Sequence, residues 1–139
     1  MQIDELKKAG AIYLDHIQEG FEKYDWEEYT LCARDAVEKL DAEWKKCGKE
    51  NAWADFYYFI LPEDGRKKIE ETLTDEEKRY LQELKGKADG IIFPLDEQLI
   101  RLLAKLNEKE MLFSTFYFMN PESTWWGNYG GTYVVFRKK

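Results

Sequence analysis

Residues Met111 to Phe136, MLFSTFYFMNPESTWWGNYGGTYVVF, decide the fold: nine of the 26 are aromatic and Glu122 alone is charged. Phe113, Phe116, Tyr117, Phe118, Trp125, Trp126, Tyr129, Tyr133 and Phe136 are residues that pack well on a pleated surface. The gaps between them carry turn chemistry. Asn120-Pro121-Glu122-Ser123 fits a turn with proline at its second position, and Asn128-Tyr129-Gly130-Gly131 offers residues that tolerate positive φ. The stretch therefore predicts a β-meander, with strands near 111–119, 123–127 and 132–137.

Working back from the meander, Leu99, Ile100, Leu102, Leu103 and Leu106 have helical spacing after Asp96, with Asn107 as the C-terminal cap. Ala88 to Phe93 is a short strand or a loop, and Pro94 bars a further ladder bond. Thr74-Asp75-Glu76-Glu77 is a capping box that opens a helix through Tyr80, Leu81 and Leu84 to Gly86. Trp53 to Leu61, WADFYYFIL, is apolar on both alternating faces, as a strand covered on both sides would be, with Asp55 interrupting one face. Pro62-Glu63-Asp64-Gly65 reads as a turn after it, and a short helix carrying Ile69 and Leu73 follows.

The first 48 residues predict an N-terminal pair of helices. Ile3, Leu6, Tyr13, Leu14, Ile17 and Phe21 mark the first, with Gly20 at its end. Asp25 and Glu28 imitate a capping box for the second, which runs through Tyr29, Ala33, Ala36, Val37, Leu40, Trp44 and Cys47 to Gly48. Helices, a strand, helices and then a meander predict an α+β fold: helices on a mostly antiparallel sheet of about four to five strands. A doubly wound α/β sheet would need regular alternation, which the N-terminal part lacks. No linker or repeat divides the chain, so residues 1–139 are expected to be a single domain.

Net charge is −7. Residues 1–50 hold eight basic and thirteen acidic side chains, 51–110 ten and fourteen, and 111–139 three and one. This balance disfavours nucleic acid and anionic lipid, and favours basic partners or plain solubility. No apolar run approaches the roughly 20 residues that span a bilayer, and the first residues, MQIDELKKAG, have no signal-peptide character. Cys32 and Cys47 would sit roughly 22 Å apart in one helix, too far for a disulfide. Free thiols and the absence of a leader suggest the cytoplasm.

The residues offer little for catalysis. His16 is the only histidine, so histidine-rich metal sites are excluded, and its acidic neighbours fit a helix surface better than a catalytic pair. The cysteines have no CxxC partner, and the glycines near 127–131 precede no helix. No cofactor or metal is expected. Asp55, the one charge in an aromatic strand pattern, is expected to face solvent at the strand start, or else to have a raised pKa.

Two features point to binding. Trp125 and Trp126 are adjacent on a strand and must point to opposite faces, so one is exposed unless both faces are covered. Asp15, Glu19, Glu22, Asp25, Glu27 and Glu28 oppose Lys23 alone between 15 and 28. A small, acidic, aromatic-rich chain of this kind is similar in general character to bacterial immunity proteins, which neutralise toxins; the likeness is one of composition and spans no motif. It implies a non-catalytic protein-binding domain, with Glu22, Glu27 and Glu28 steering a basic protein partner and Trp125 or Trp126 anchoring it. The alternative is a small-molecule or carbohydrate binding domain, or a small enzyme, with Trp126, Tyr129 and Asp55 lining a pocket at the aromatic sheet.

Overall fold

In the computed structural model, which describes residues 1–139, the C-terminal stretch forms three strands of a six-stranded antiparallel sheet. They are β4 (Thr115–Phe118), β5 (Ser123–Asn128) and β6 (Thr132–Arg137). The other three are β1 (Asp25–Thr30), β2 (Ala52–Asp55) and β3 (Ile92–Pro94), in the spatial order β1-β6-β5-β4-β2-β3. Six helices complete an α+β architecture: α1 (Ile3–Lys8), α2 (Ile17–Lys23), α3 (Ala33–Cys47), α4 (Glu63–Glu70), α5 (Asp75–Gly86) and α6 (Glu97–Glu108). The strand count exceeds the expected four to five because β1 was hidden in the sequence.

Both faces of the sheet are covered. On one, Ala54, Phe116, Phe118, Trp125, Tyr133 and Val135 join the main core with apolar residues of α3, α5 and α6, and α3 packs along α6. On the other, Val134 and Phe136 pack with Ile12 and Leu14, and Tyr117 with Leu6 and Ile92. That second layer is the N-terminal segment. Its backbone is tied to β5 where the buried Thr124 hydroxyl donates to the Ile12 carbonyl, 2.6 Å away.

The N-terminal helical pair is corrected in both of its helices. Gly10 takes φ +97°, which ends the first helix early and frees residues 11–16 to cross the sheet without regular structure. Gly20 is not a terminus but a buried residue within α2, where an added Cβ would lie 2.4 Å from the Phe136 ring; glycine is what lets the helix seat on the sheet. Residues 25–30, expected as the start of the second helix, form β1 against β6, with Asp25 opposite Arg137 and Thr30 opposite Thr132. α3 begins only at Ala33, whose N–H donates to the Glu108 carboxylate at 2.5 Å.

Smaller departures follow the same logic. Trp53–Leu61 is a strand only as far as Asp55, after which Tyr58–Ile60 makes a 3-10 turn. Pro62 caps α4 instead of opening a turn, and Asn107 lies inside α6, buried. The capping box at Thr74 and the helix start at Asp96 are as expected, each side chain accepting from a backbone N–H three residues on. Both thiols are free, Cys32 exposed and Cys47 buried. No helix is long and apolar enough to cross a membrane.

Candidate functional site: an acidic edge strand and a buried aspartate

A sheet has two edges, and here they differ. β3 is three residues long, includes Pro94, and is covered by Met1, whose nitrogen donates to the Ile92 carbonyl at 3.0 Å. β1 is six residues long, pairs only with β6, and leaves its outer backbone edge open. Its sequence is DWEEYT, and every side chain except the half-buried Tyr29 is exposed.

Strand geometry sorts these side chains. Register with β6 puts Asp25, Glu27 and Tyr29 over the main-core face, and Trp26, Glu28 and Thr30 over the N-terminal face. Glu27 and Glu28, expected side by side on a helix, therefore point to opposite faces of one edge. Glu22 is exposed on α2, which packs against β1. Two cations come close: Lys39 lies over the Tyr29 ring, 4.5 Å from its centre, and Arg137 is shared, 3.9 Å from Glu27 and 3.2 Å from the buried Glu43, which also accepts from the Ser123 hydroxyl at 3.1 Å. Glu22, Asp25 and Glu28 take part in none of the nine ion pairs. The edge keeps a surplus of negative charge.

The exposed tryptophan at this edge is neither of those in the meander. Trp125 is buried in the main core, and Trp126 is half-buried against the N-terminal segment, because both faces are covered. The exposed tryptophan is Trp26, 51% accessible and held edge-to-face on Phe21 with ring centroids 4.7 Å apart. Sequence reasoning missed it by placing it in a helix, and the segment offers no strand signal of its own: its two aromatics, Trp26 and Tyr29, are three residues apart, which is helical spacing. Tyr129 is exposed, 69% accessible, beyond the end of β5 and packed edge-on against Phe113.

Asp55 corrects a second expectation. It does not face solvent: it is 6% accessible, and its Oδ1 accepts from the Thr115 N–H at 2.8 Å. Burial pushes its carboxyl up to about 7, against the opposing pull of that hydrogen bond. Tyr13, Tyr57 and Tyr117 surround it, and burial first, with the Asp55 charge contributing, raises all three hydroxyls. Tyr13 and Tyr117 stack at 6.1 Å.

The N-terminal face thus carries a cross-strand row. Ile92 pairs with Asp55, Asp55 binds Thr115, Thr115 pairs with Trp126, Trp126 with Val134, and Val134 with Glu28. Asp55, Trp126 and Glu28 lie on one face but two strands apart, roughly 10 Å each. Tyr129 is outside the row, and none of the five principal cavities has Asp55, Trp126 or Tyr129 in its walls. No three His, Cys, Asp or Glu side chains gather as they would to hold a metal ion. No protein family, no curated protein and no solved structure matches this chain.

Proposed function

We propose that the protein is a protein-binding domain that docks a basic partner along β1, in the manner expected of an immunity protein that neutralises a toxin. The observation that carries this reading is the open edge strand itself, acidic on both faces and bearing a half-exposed tryptophan. An extended partner segment would add to the sheet as a seventh strand, its backbone pairing with β1 and its lysines or arginines meeting Asp25, Glu27 and Glu28. The same charges repel a second copy of the chain, so one device discourages self-pairing and selects a partner of opposite sign. Trp26 supplies the apolar anchor, since tryptophan is over-represented among residues that dominate interface energies.

The experiment compares capture from cell lysate by the wild type and by the Glu22→Lys/Glu27→Lys/Glu28→Lys variant, at low and raised salt. All three side chains are exposed, so the fold should survive the change. The reading expects a basic protein that the wild type retains at low salt, that raised salt releases, and that the variant binds at least about tenfold more weakly, chiefly through slower association. Equal retention by both proteins at every salt concentration would remove β1 as the docking surface.

A further inference from the structure

The cavity with the largest volume among the principal ones, about 480 Å³, lies between α4 and α5, away from β1. Its floor is Tyr58, Phe59 and Leu81; its rim is Arg66 and Glu70 from α4, and Lys78, Gln82 and Lys85 from α5. Positions 78, 81, 82 and 85 follow one helical face, so a single stripe of α5 supplies half the wall. Its volume suits a small organic molecule.

Charge sets this cleft apart. Arg66, Lys78 and Lys85 against Glu70 leave its wall at +2, in a protein whose net charge is −7. The cavities walled by Glu76, Glu77 and Arg101, by Asp25, Glu27 and Arg137, and by Asp35, Glu38 and Lys39 are each net negative. None of the three cations here belongs to any of the nine ion pairs. The one carboxylate is already engaged: Tyr58 donates its hydroxyl to Glu70 at 2.5 Å. Tyr58 and Phe59 meet edge-to-face, centroids 5.2 Å apart at 84°, and so present one ring at right angles to the other.

We propose that this cleft binds a small organic anion that carries an aromatic ring, such as an aryl phosphate or a nucleotide. The ring packs on Phe59, Tyr58 and Leu81, while Arg66, Lys78 and Lys85 converge on the phosphate. Glu70, oriented by Tyr58, and Gln82 accept from an N–H on the ring's edge.

Titration of the full chain with AMP, phenyl phosphate, adenosine and inorganic phosphate, followed by amide chemical shifts, tests the assignment. AMP and phenyl phosphate should move the amides of Tyr58, Phe59, Arg66, Lys78, Gln82 and Lys85 in a saturable way, with adenosine and inorganic phosphate at least about tenfold weaker. Lys78→Glu/Lys85→Glu changes two exposed side chains and should weaken AMP at least about tenfold with the rest of the spectrum unchanged. Phe59→Leu should weaken AMP while leaving inorganic phosphate as it was. No movement with either aromatic anion, inorganic phosphate binding as tightly as AMP, or unaltered binding by the lysine variant would each overturn the proposal.

Discussion

At pH 8 the Asp55→Asn variant should be more stable than the wild type, by about 4 kcal/mol. The carboxyl of Asp55 is raised from 3.8 to about 7 by burial, and each unit corresponds to about 1.4 kcal/mol. The sign follows from proton binding. Between pH 3.8 and about 7 the folded protein holds the Asp55 proton while the unfolded chain has released it. Stability from this group is therefore complete below the unfolded value, falls as pH rises through the window, and is lost above the folded value. Asparagine keeps an oxygen to accept the Thr115 N–H without ever carrying the charge.

Urea unfolding at pH 5 and pH 8 checks this. The wild type should lose about 2–3 kcal/mol between them, while the variant stays nearly level. Glu77 does not confuse the comparison, because its pKa is lowered, with Lys105 2.7 Å away, so its contribution is lost only at more acid pH. Parallel pH profiles, or a variant less stable at pH 8, would show that Asp55 is not the buried carboxyl described.

The second large effect is expected at Phe136. Its ring has no solvent exposure, lies 5.6 Å from Phe21 at 64°, and fills the space left by Gly20. Phe136→Ala should cost about 3–5 kcal/mol, the usual range for a buried aromatic that leaves a cavity. The damage should also be directional. With Ile12, Leu14 and Val134, Phe136 holds the N-terminal segment on the sheet, and α2 in turn supports Trp26 through Phe21. Amides of residues 11–24 should therefore exchange faster than those of α3 and α6 in the variant. A loss under about 1 kcal/mol, or uniform acceleration over the whole chain, would contradict this role.

What could be read in the sequence was local. The meander was legible because Asn120-Pro121 and Asn128 to Gly131 punctuate an aromatic run, and the helix starts at Thr74 and Asp96 because each cap reaches an N–H only three residues away. The larger misreadings are non-local. Asp25 and Glu28 have capping-box spacing, yet their segment is fixed by pairing with β6 at the far end of the chain, which overrides local preference. Gly20 looks like a terminator until Phe136 is set against it. Asp55 looks solvent-facing until residues 11–14 cross the sheet, and the same crossing covers Trp126.

The candidate site was legible as chemistry but not as geometry. The acids Glu22, Glu27 and Glu28 are exposed, as docking requires, yet an edge strand and not a helix presents two of them. The aromatic beside them is Trp26, since Trp125 is used in the core. The basic cleft between α4 and α5 was not visible at all. Arg66 and Lys78 come together only when two helices pack, and each alone is an ordinary surface charge.

Hydrogen exchange of the β1 backbone, with and without the captured basic partner, tests the central claim most directly. In the free protein the outward-facing amides of residues 25–30 should exchange rapidly, because that edge has no neighbour. Strand addition should slow them by an order of magnitude or more, and Trp26→Ala should diminish that protection. Protection that appears elsewhere on the molecule, with β1 exchanging as freely as before, would contradict docking along this edge.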